Sequence, residues 1–502
     1  MDMDTLIENA LLVTMDPESR GATGELGIVE DGAVGIADGQ IEYVGPAADV
    51  DEAIARPRAG AVVDAEGDLA CPGLVNAHAH TRHTIVRGAA QDLPEIEWMN
   101  RGLGPISAHA TREDGVIGAK LGVLEALASG TTTVCEYARR VGELVEEVYE
   151  PFSVRCVATE TINEVPDDRA DLGPEELYPF DRGNGEAGLE RAEALFDEYE
   201  DETASLVEPA YGPQALDMVS LRLLEEIERR ADEHGRRIHI HVAQGEREAI
   251  QIRERYGEDG PNPIPGAGEE PTTVSVLDAA DLLSDRLIAA HLHGATPDER
   301  ARLADAGVSM VGCPSSIAAI DGIVPPIVEY REHGGTVGIG TDQAPGPGGH
   351  NAVRELRTAA LLSKTDRGDP TAMPAWETLE VATVGGARAL GIDDVVGTLT
   401  EGKRADVAVF DFESPWTAPT VDEPFHTAIP NLVYGGTGVE ATDVFVDGRR
   451  LLRDGEVAIE GFDAGELIAE ANRRAERIFS NAEEDWRDAG SKLVTDVDAG
   501  RL

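Results

Sequence analysis

A chain of 502 residues is too long for one compact core, and 41% hydrophobic residues give it material for a large domain with an accessory one. Its 96 acidic and 42 basic residues leave a formal charge of −54, spread along the whole chain rather than gathered in a tail. That field excludes nucleic acid and anionic membrane as partners and fits the solvated acidic shell of proteins from salt-loving organisms. Residues 1–70 read as short strands broken by turns, TLIENALLVTM, DGAVGIADGQIEYVG and GAVVDAEGDLACPG, with D-G pairs suited to hairpins. From 71 to 395, β-branched runs such as SVRCVATET, RRIHIHVAQ, RLIAAHLHG, GVSMVGCPS and TVGIGTDQA alternate with helical stretches such as SLRLLEEIERRADEHG. About eight such units imply a parallel sheet closed into a (β/α)8 barrel of the TIM type. Strand texture returns over 396–460, so both chain ends are expected to build one small β-sandwich domain, and 461–502 to form a C-terminal helix and a loose tail. No run approaches the ~20 apolar residues of a membrane span. The N-terminus lacks the pattern of a signal peptide, so a cytoplasmic chain is expected. The four scattered cysteines form no C-x-x-C pair, which argues against a disulfide framework.

The chemistry concentrates at the ends of the alternating strands. In CPGLVNAHAH, His78 and His80 stand two apart, so both side chains leave one face of a strand and could grip one metal ion. His241 ends RRIHIHVAQ; His239 shares its face one layer deeper, and is read as a hydrogen-bonded core histidine because barrel chemistry gathers at C-terminal strand ends. His291 ends RLIAAH, with His293 as a rival in the following loop, and Asp342 ends GTVGIGTDQ. Three imidazoles and a carboxylate suit one divalent ion, zinc first and iron second.

PGLVNAHAH, HVAQ, AAHLHGATPDE and GIGTDQAP together resemble the amidohydrolase superfamily, in its deaminase and chlorohydrolase branch, as do GAAQDLPEIEWMN, ALASGTTTV and the stretch PAWETLEVATVGGARALGIDDVVGTLTEGKRADVAVFDF. The branch includes S-adenosylhomocysteine/methylthioadenosine deaminases and triazine hydrolases, and the resemblance spans roughly residues 5–460. It implies metal ligands at His78, His80, His241 and Asp342, with His291 polarising the attacking water or the leaving group. Many two-metal members bridge their ions with a carbamylated lysine, but no lysine lies between Lys120 and Lys364, which favours one ion and leaves only Glu160 or Glu208 as bridging alternatives. The implied reaction is attack of activated water on an sp² carbon, Asp342 acting as general base, with loss of ammonia, an amine or halide. Chlorohydrolase and cyclic-amide hydrolase activities on the same scaffold are the alternatives, and a non-catalytic binding relative is a third.

The chain departs from the branch at two places. Deaminases of this group show H-x-x-E, where this chain has Gln244, an amide that cannot carry a proton at neutral pH. Glu246 is the nearby acid that could stand in. AYGPQAL has Gln214 where nucleoside deaminases show a histidine, which weakens an adenosine-type assignment and leaves the class intact. Gln244, Gln214, Glu97 and His350 are the expected substrate contacts, the last from the Gly-rich loop after Asp342. His83 is read as an exposed loop residue, His109 as surface and Cys313 as a buried small hydrophobe. The expected partners are a small N-heterocyclic substrate and further copies of the chain in a homo-oligomer.

Overall fold

The computed structural model describes residues 3–50, 62–166, 176–199, 205–346 and 348–501. Eight parallel strands run Leu74–Ala79, Thr131–Ala138, Arg155–Ile162, Val207–Pro213, Ile238–Val242, Leu287–His291, Ser309–Gly312 and Val337–Ile339, each paired with its neighbour in chain order. Strands such as IHIHV and LIAAH are buried at every position, because helices cover the outer face and side chains fill the interior. The ring closes through a parallel bridge between Ala79 and Asp342. There the His80 N–H donates to the Asp342 carbonyl at 2.7 Å, and the Asp342 N–H donates to that of His78 at 2.9 Å.

The covering helices follow their sequence signals. Leu221–His234 is capped by the Ser220 hydroxyl, buries Leu223, Leu224, Ile227 and Ala231, and stops at Gly235, whose φ of +64° suits glycine. Pro297–Asp305 starts with a reciprocal capping box between Thr296 and Glu299.

The chain ends build a second, mostly antiparallel sheet. Thr5–Val13 pairs with Ile28–Ala37, which pairs with Gln40–Pro46. Leu69–Pro72 joins Thr5–Val13 to Val407–Phe410, and the sheet continues through Ala441–Val446 and Arg449–Arg453. Ile7, Leu12, Ile36, Val407 and Phe445 fill its core. Of the stretch GAVVDAEGDLACPG, Gly60 and Ala61 lie outside the described residues. A buried fork, Arg155 Nε and Nη2 on Asp406 at 3.0 and 2.8 Å, ties the barrel to this sheet.

The C-terminus is not a loose tail. Ala464–Asp488 is a long helix, followed by the short helix Lys492–Asp498. It packs Ala471, Ile478, Ala482 and Trp486 against Ile85, Val86, Leu93, Trp98, Leu103 and Ile106. Trp486 Nε1 donates to Gly102 O at 2.8 Å, and Arg474 and Arg477 both pair with buried Asp114. His109, expected at the surface, bonds Asp485 on this helix at 2.6 Å. Among the described residues no helix is long and apolar enough to cross a membrane.

Candidate metal centre and active site

Five residues from four strand ends meet inside the barrel mouth. The ring centroid of His78 lies 4.8 Å from that of His80, 4.9 Å from His241 and 5.5 Å from His291. Asp342 Oδ1 stands 3.4 Å from His80 Nε2 and 3.8 Å from His78 Nε2. Ligand atoms of His78, His80 and Asp342 lie within 4.8 Å of one another, as do those of His78, His241 and His291. Ala243, His291, Leu292 and Asp342, at these strand ends, take left-handed backbone with φ of +50° to +80°. Such conformations cost about 1–3 kcal/mol each and persist where the surroundings impose them, commonly at functional sites.

The hydrogen bonds around the rings separate His291 from the others. Nδ1 of His80 bonds Tyr137 O and Nδ1 of His241 bonds Gln214 O, both at 2.7 Å. His78 Nδ1 bonds His239 Nε2 at 3.1 Å, and His239 Nδ1 in turn reaches Cys135 Sγ at 3.2 Å. With each Nδ1 engaged, these three imidazoles present Nε2 to the centre, the arrangement by which outer partners orient metal-binding histidines. Buried His78 Nε2 has no hydrogen-bond partner. Three oriented imidazoles, an orphaned ring nitrogen and a carboxylate whose Oδ2 is held by the Ser316 hydroxyl at 2.5 Å fit one divalent cation. His291 instead leaves a buried Nδ1 without a partner. Burial first, then the neighbouring histidines, holds His78 and His291 well below the ordinary imidazole range and His241 at about 3, so all three are neutral rings. His239→Phe should therefore weaken metal affinity by ~10- to 100-fold without removing a ligand. Titration of the apo protein with zinc against a competing chelator reads this, and unaltered affinity would show that the His78–His239 bond does not orient the site.

Glu160 and Glu208 offer no bridge to a second ion. Glu160 is bonded by Arg191 and by the N–H groups of Arg140 and Val141, and Glu208 pairs with Arg236. Neither belongs to the converging groups among the described residues.

The cavity over this centre is lined by Trp98, Met99, Met218, Ile317 and Ile320, with Gln214, Gln244 and Gln343 among its polar groups. Gln214 and Gln244 thus face the cavity with His291 and Asp342. Two other expected substrate contacts need correction. Glu97 pairs with Arg101 at 3.6 Å and does not line the cavity; Glu95, two residues earlier, does, and accepts from the N–H of Glu246 at the start of the helix Glu246–Tyr256. His350 is fully buried, its Nδ1 bonded to Thr341 Oγ1 at 2.9 Å and its Nε2 to Thr84 Oγ1 at 3.1 Å, so it does not face the cavity. His83 is half-buried, stacked on His80, rather than exposed. Cys313 is a buried thiol.

Glu246 is exposed and does not line the cavity, whereas Glu248, one of several carboxylates in the wall, does. Glu248 is buried and accepts the N–H of Gln244 at 2.7 Å and of Ala243 at 3.2 Å. Burial and neighbouring Asp217 push its carboxyl above the usual carboxylate range. Glu248, Asp217, Ser316 and Glu95 are site residues that sequence reasoning missed.

The amidohydrolase family model matches residues 69–451. The chain belongs to the amidohydrolase family. It is a hydrolase acting on carbon–nitrogen bonds, in a metal-dependent family. It is 30% identical to a 5'-deoxyadenosine deaminase of Methanosarcina mazei, over 95% of this chain and 99% of that one. It is 32% identical to a 5-methylthioadenosine/S-adenosylhomocysteine deaminase of Moorella thermoacetica, over 89% of this chain and 95% of that one. An adenosine deaminase of Xanthomonas campestris, solved with bound zinc, superposes with a TM-score of 0.82 at 29% identity, over 95% of this chain and 99% of that one. An atrazine chlorohydrolase of Arthrobacter aurescens TC1, solved with zinc, shares the fold with a TM-score of 0.77 at 23% identity, over 94% of this chain and 100% of that one.

Proposed function

We propose that this amidohydrolase deaminates an amino-substituted nitrogen heterocycle at a single divalent ion, zinc before iron, held by His78, His80, His241 and Asp342. The observation that carries the reading is the set of three imidazoles fixed through Nδ1 beside a carboxylate fixed through Ser316. The absence of lysine between Lys120 and Lys364 supports one ion rather than a lysine-bridged pair. When bound, a divalent cation supplies Lewis acidity and makes water acidic enough to lose a proton near neutrality. Asp342 takes that proton at its carboxylate and returns it to the departing nitrogen. His291, neutral through burial, donates an N–H to charge developing on the ring. Trp98, Met99, Met218 and Ile317 provide apolar walls for a flat ring, and Gln244 and Gln214 offer amide groups to its edge. The deaminase names of the relatives make aminopurine nucleosides the first compounds to test. Ammonia release across aminopurine nucleosides, pterins, pyrimidines and triazines in molar salt is the test; no release from any class would overturn the reading.

Gln244 favours a second reading, hydrolysis of a halogenated or cyclic-amide substrate. A halide departs without a proton, so an amide at this position loses nothing there. Chloride release measured alongside ammonia separates the two. For the leading reading, Gln244→Glu should harm the native reaction by placing a second carboxylate beside buried Glu248. It should also raise deamination of adenine- or guanine-like test compounds by part of the ~10²- to 10⁴-fold that a positioned acid supplies. Unaltered native turnover would mean that Gln244 does not touch the reacting ring.

A further inference from the structure

His350 is buried and outside the cavity, and the reaction proposed above makes no use of it. Both of its ring nitrogens are nevertheless engaged, by threonines close in sequence to candidate ligands. Nδ1 meets the hydroxyl of Thr341, the neighbour of Asp342. Nε2 meets that of Thr84, which bonds back to Thr81, the neighbour of His80. The ring thus links the end of the eighth strand to the helical turn Thr81–Val86 that follows the first. The helix Arg112–Ala128 passes over it at Gly122, where a Cβ would stand 2.9 Å from His350 Cδ2 and 2.7 Å from Thr84 Oγ1.

Two main-chain groups whose roles cannot change assign the protons in this chain of bonds. The Thr341 N–H donates to Asn76 Oδ1 at 3.0 Å, so the other end of that amide, Nδ2, donates to Thr341 Oγ1 at 2.8 Å. Having accepted there, the Thr341 hydroxyl directs its own proton at His350 Nδ1. At the far end Thr81 O can only accept, and it takes the Thr84 hydroxyl proton at 2.7 Å. Thr84 Oγ1 is left to accept, and His350 donates to it through Nε2. The opposite tautomer, or a ring protonated at both nitrogens, would set a donor against the Thr341 proton. Burial, the largest cause, holds the ring at about 4 and so neutral. Thr81 is anchored in turn by buried Glu136, which accepts its N–H at 3.2 Å and its hydroxyl, and also the Tyr149 hydroxyl at 2.7 Å.

Asp342 has left-handed backbone, a conformation that lasts where the surroundings over-determine it, and the bonds to Thr341 pin the residue before it. We propose that His350, as the neutral Nε2–H tautomer, is a positioning residue that holds the Asp342 carboxylate and the His80 ring in register for one divalent cation. It acts through Thr341 and Thr84 and touches neither the ion nor the substrate. The proposal rests on the metal reading given above.

Zinc withdrawal from the loaded full-length protein by a competing chelator tests it, together with steady-state kinetics and nitrogen NMR of labelled histidine. His350→Leu should weaken zinc affinity by roughly 10-fold or more and lower kcat with little change in KM, since the cavity walls are untouched. His350→Gln, which keeps an acceptor and a donor at the end of the side chain, should recover most of the loss. Thr84→Val and Thr341→Val, which each cut one of the two links, should each reproduce part of it. Tyr330→Phe removes an equally buried hydrogen bond, to Val308 O, elsewhere in the barrel and should leave the affinity unaltered. The histidine signal missing from His350→Gln should belong to a ring protonated at Nε2 alone. Wild-type affinity in His350→Leu overturns the proposal, as it does in both valine variants should the leucine variant not fold. A ring protonated at Nδ1 overturns it, and so does an equal loss in Tyr330→Phe, which would indicate general loosening. A wild type that holds no divalent cation brings down the metal reading and this proposal together, and that failure is seen before any substitution is made.

Discussion

Asp342→Asn should lower turnover by ~10²- to 10⁴-fold, the usual worth of a positioned general base, and should also reduce bound metal. Both duties are proposed for this residue because its Oδ1 faces the Nε2 atoms of His78 and His80 while Ser316 holds Oδ2. Asparagine is the informative replacement. Asp342 has φ of +60°, a region asparagine tolerates better than alanine, so the loss reports chemistry rather than backbone strain. The barrel should stay closed, since the seam uses main-chain groups of His78, His80 and Asp342. His241→Ala should also release the ion, as there is no spare imidazole beyond His291. Elemental analysis with steady-state kinetics measures both effects. A normal metal content in either variant would remove that residue from the ligand set.

The second large effect concerns salt. The 42 basic residues can neutralise at most 42 of 96 acidic ones, so 54 negative charges are left to repel one another. Many of the ion pairs that form are solvent-exposed, such as Arg182–Glu186 and Arg229–Glu233, and such pairs are each worth ~0–1 kcal/mol. Screening reaches ~3 Å at 1 M salt but ~30 Å at 0.01 M, a distance at which charges across the whole surface interact. For a chain this size each kcal/mol of added repulsion lowers the melting temperature by about 1 °C, so several kcal/mol corresponds to a fall of roughly 5 °C. Melting followed by calorimetry from molar salt to dilute buffer measures the shift; an unchanged midpoint would refute the solvent-shell reading.

The barrel was legible because alternation of short apolar strands with capped helices is a local pattern, and strand periodicity fixes which residues share a face. Periodicity alone leaves His239 beside His241 and His293 beside His291; the habit of barrel chemistry to gather at C-terminal strand ends is what singles out His78, His80, His241, His291 and Asp342. Where side-chain direction depends on irregular backbone, the sequence was mute. Glu97 is expected in the cavity but Glu95 lines it, because the segment after His80 winds through short, irregular helical turns whose outward face has no period. His350 was placed in the cavity on the general habit of barrel loops, but its partners Thr84 and Thr341 are reached only through the folded chain. Glu248 and Ser316 escaped for a related reason. Each acts on a neighbour, Glu248 on the Gln244 N–H and Ser316 on Asp342, and such supporting bonds leave no composition signature.

The seam of the barrel and the site share the same residues. Ala79 and Asp342 are paired across the ring, flanked by the main-chain bonds that set the His78 and His80 pair against the Asp342 carboxylate. During synthesis the first two imidazoles therefore emerge more than half a chain before their carboxylate partner. A nascent or truncated chain ending short of the eighth strand owns His78, His80 and His241 but not Asp342, so the proposed set of four can be completed only when the ring shuts.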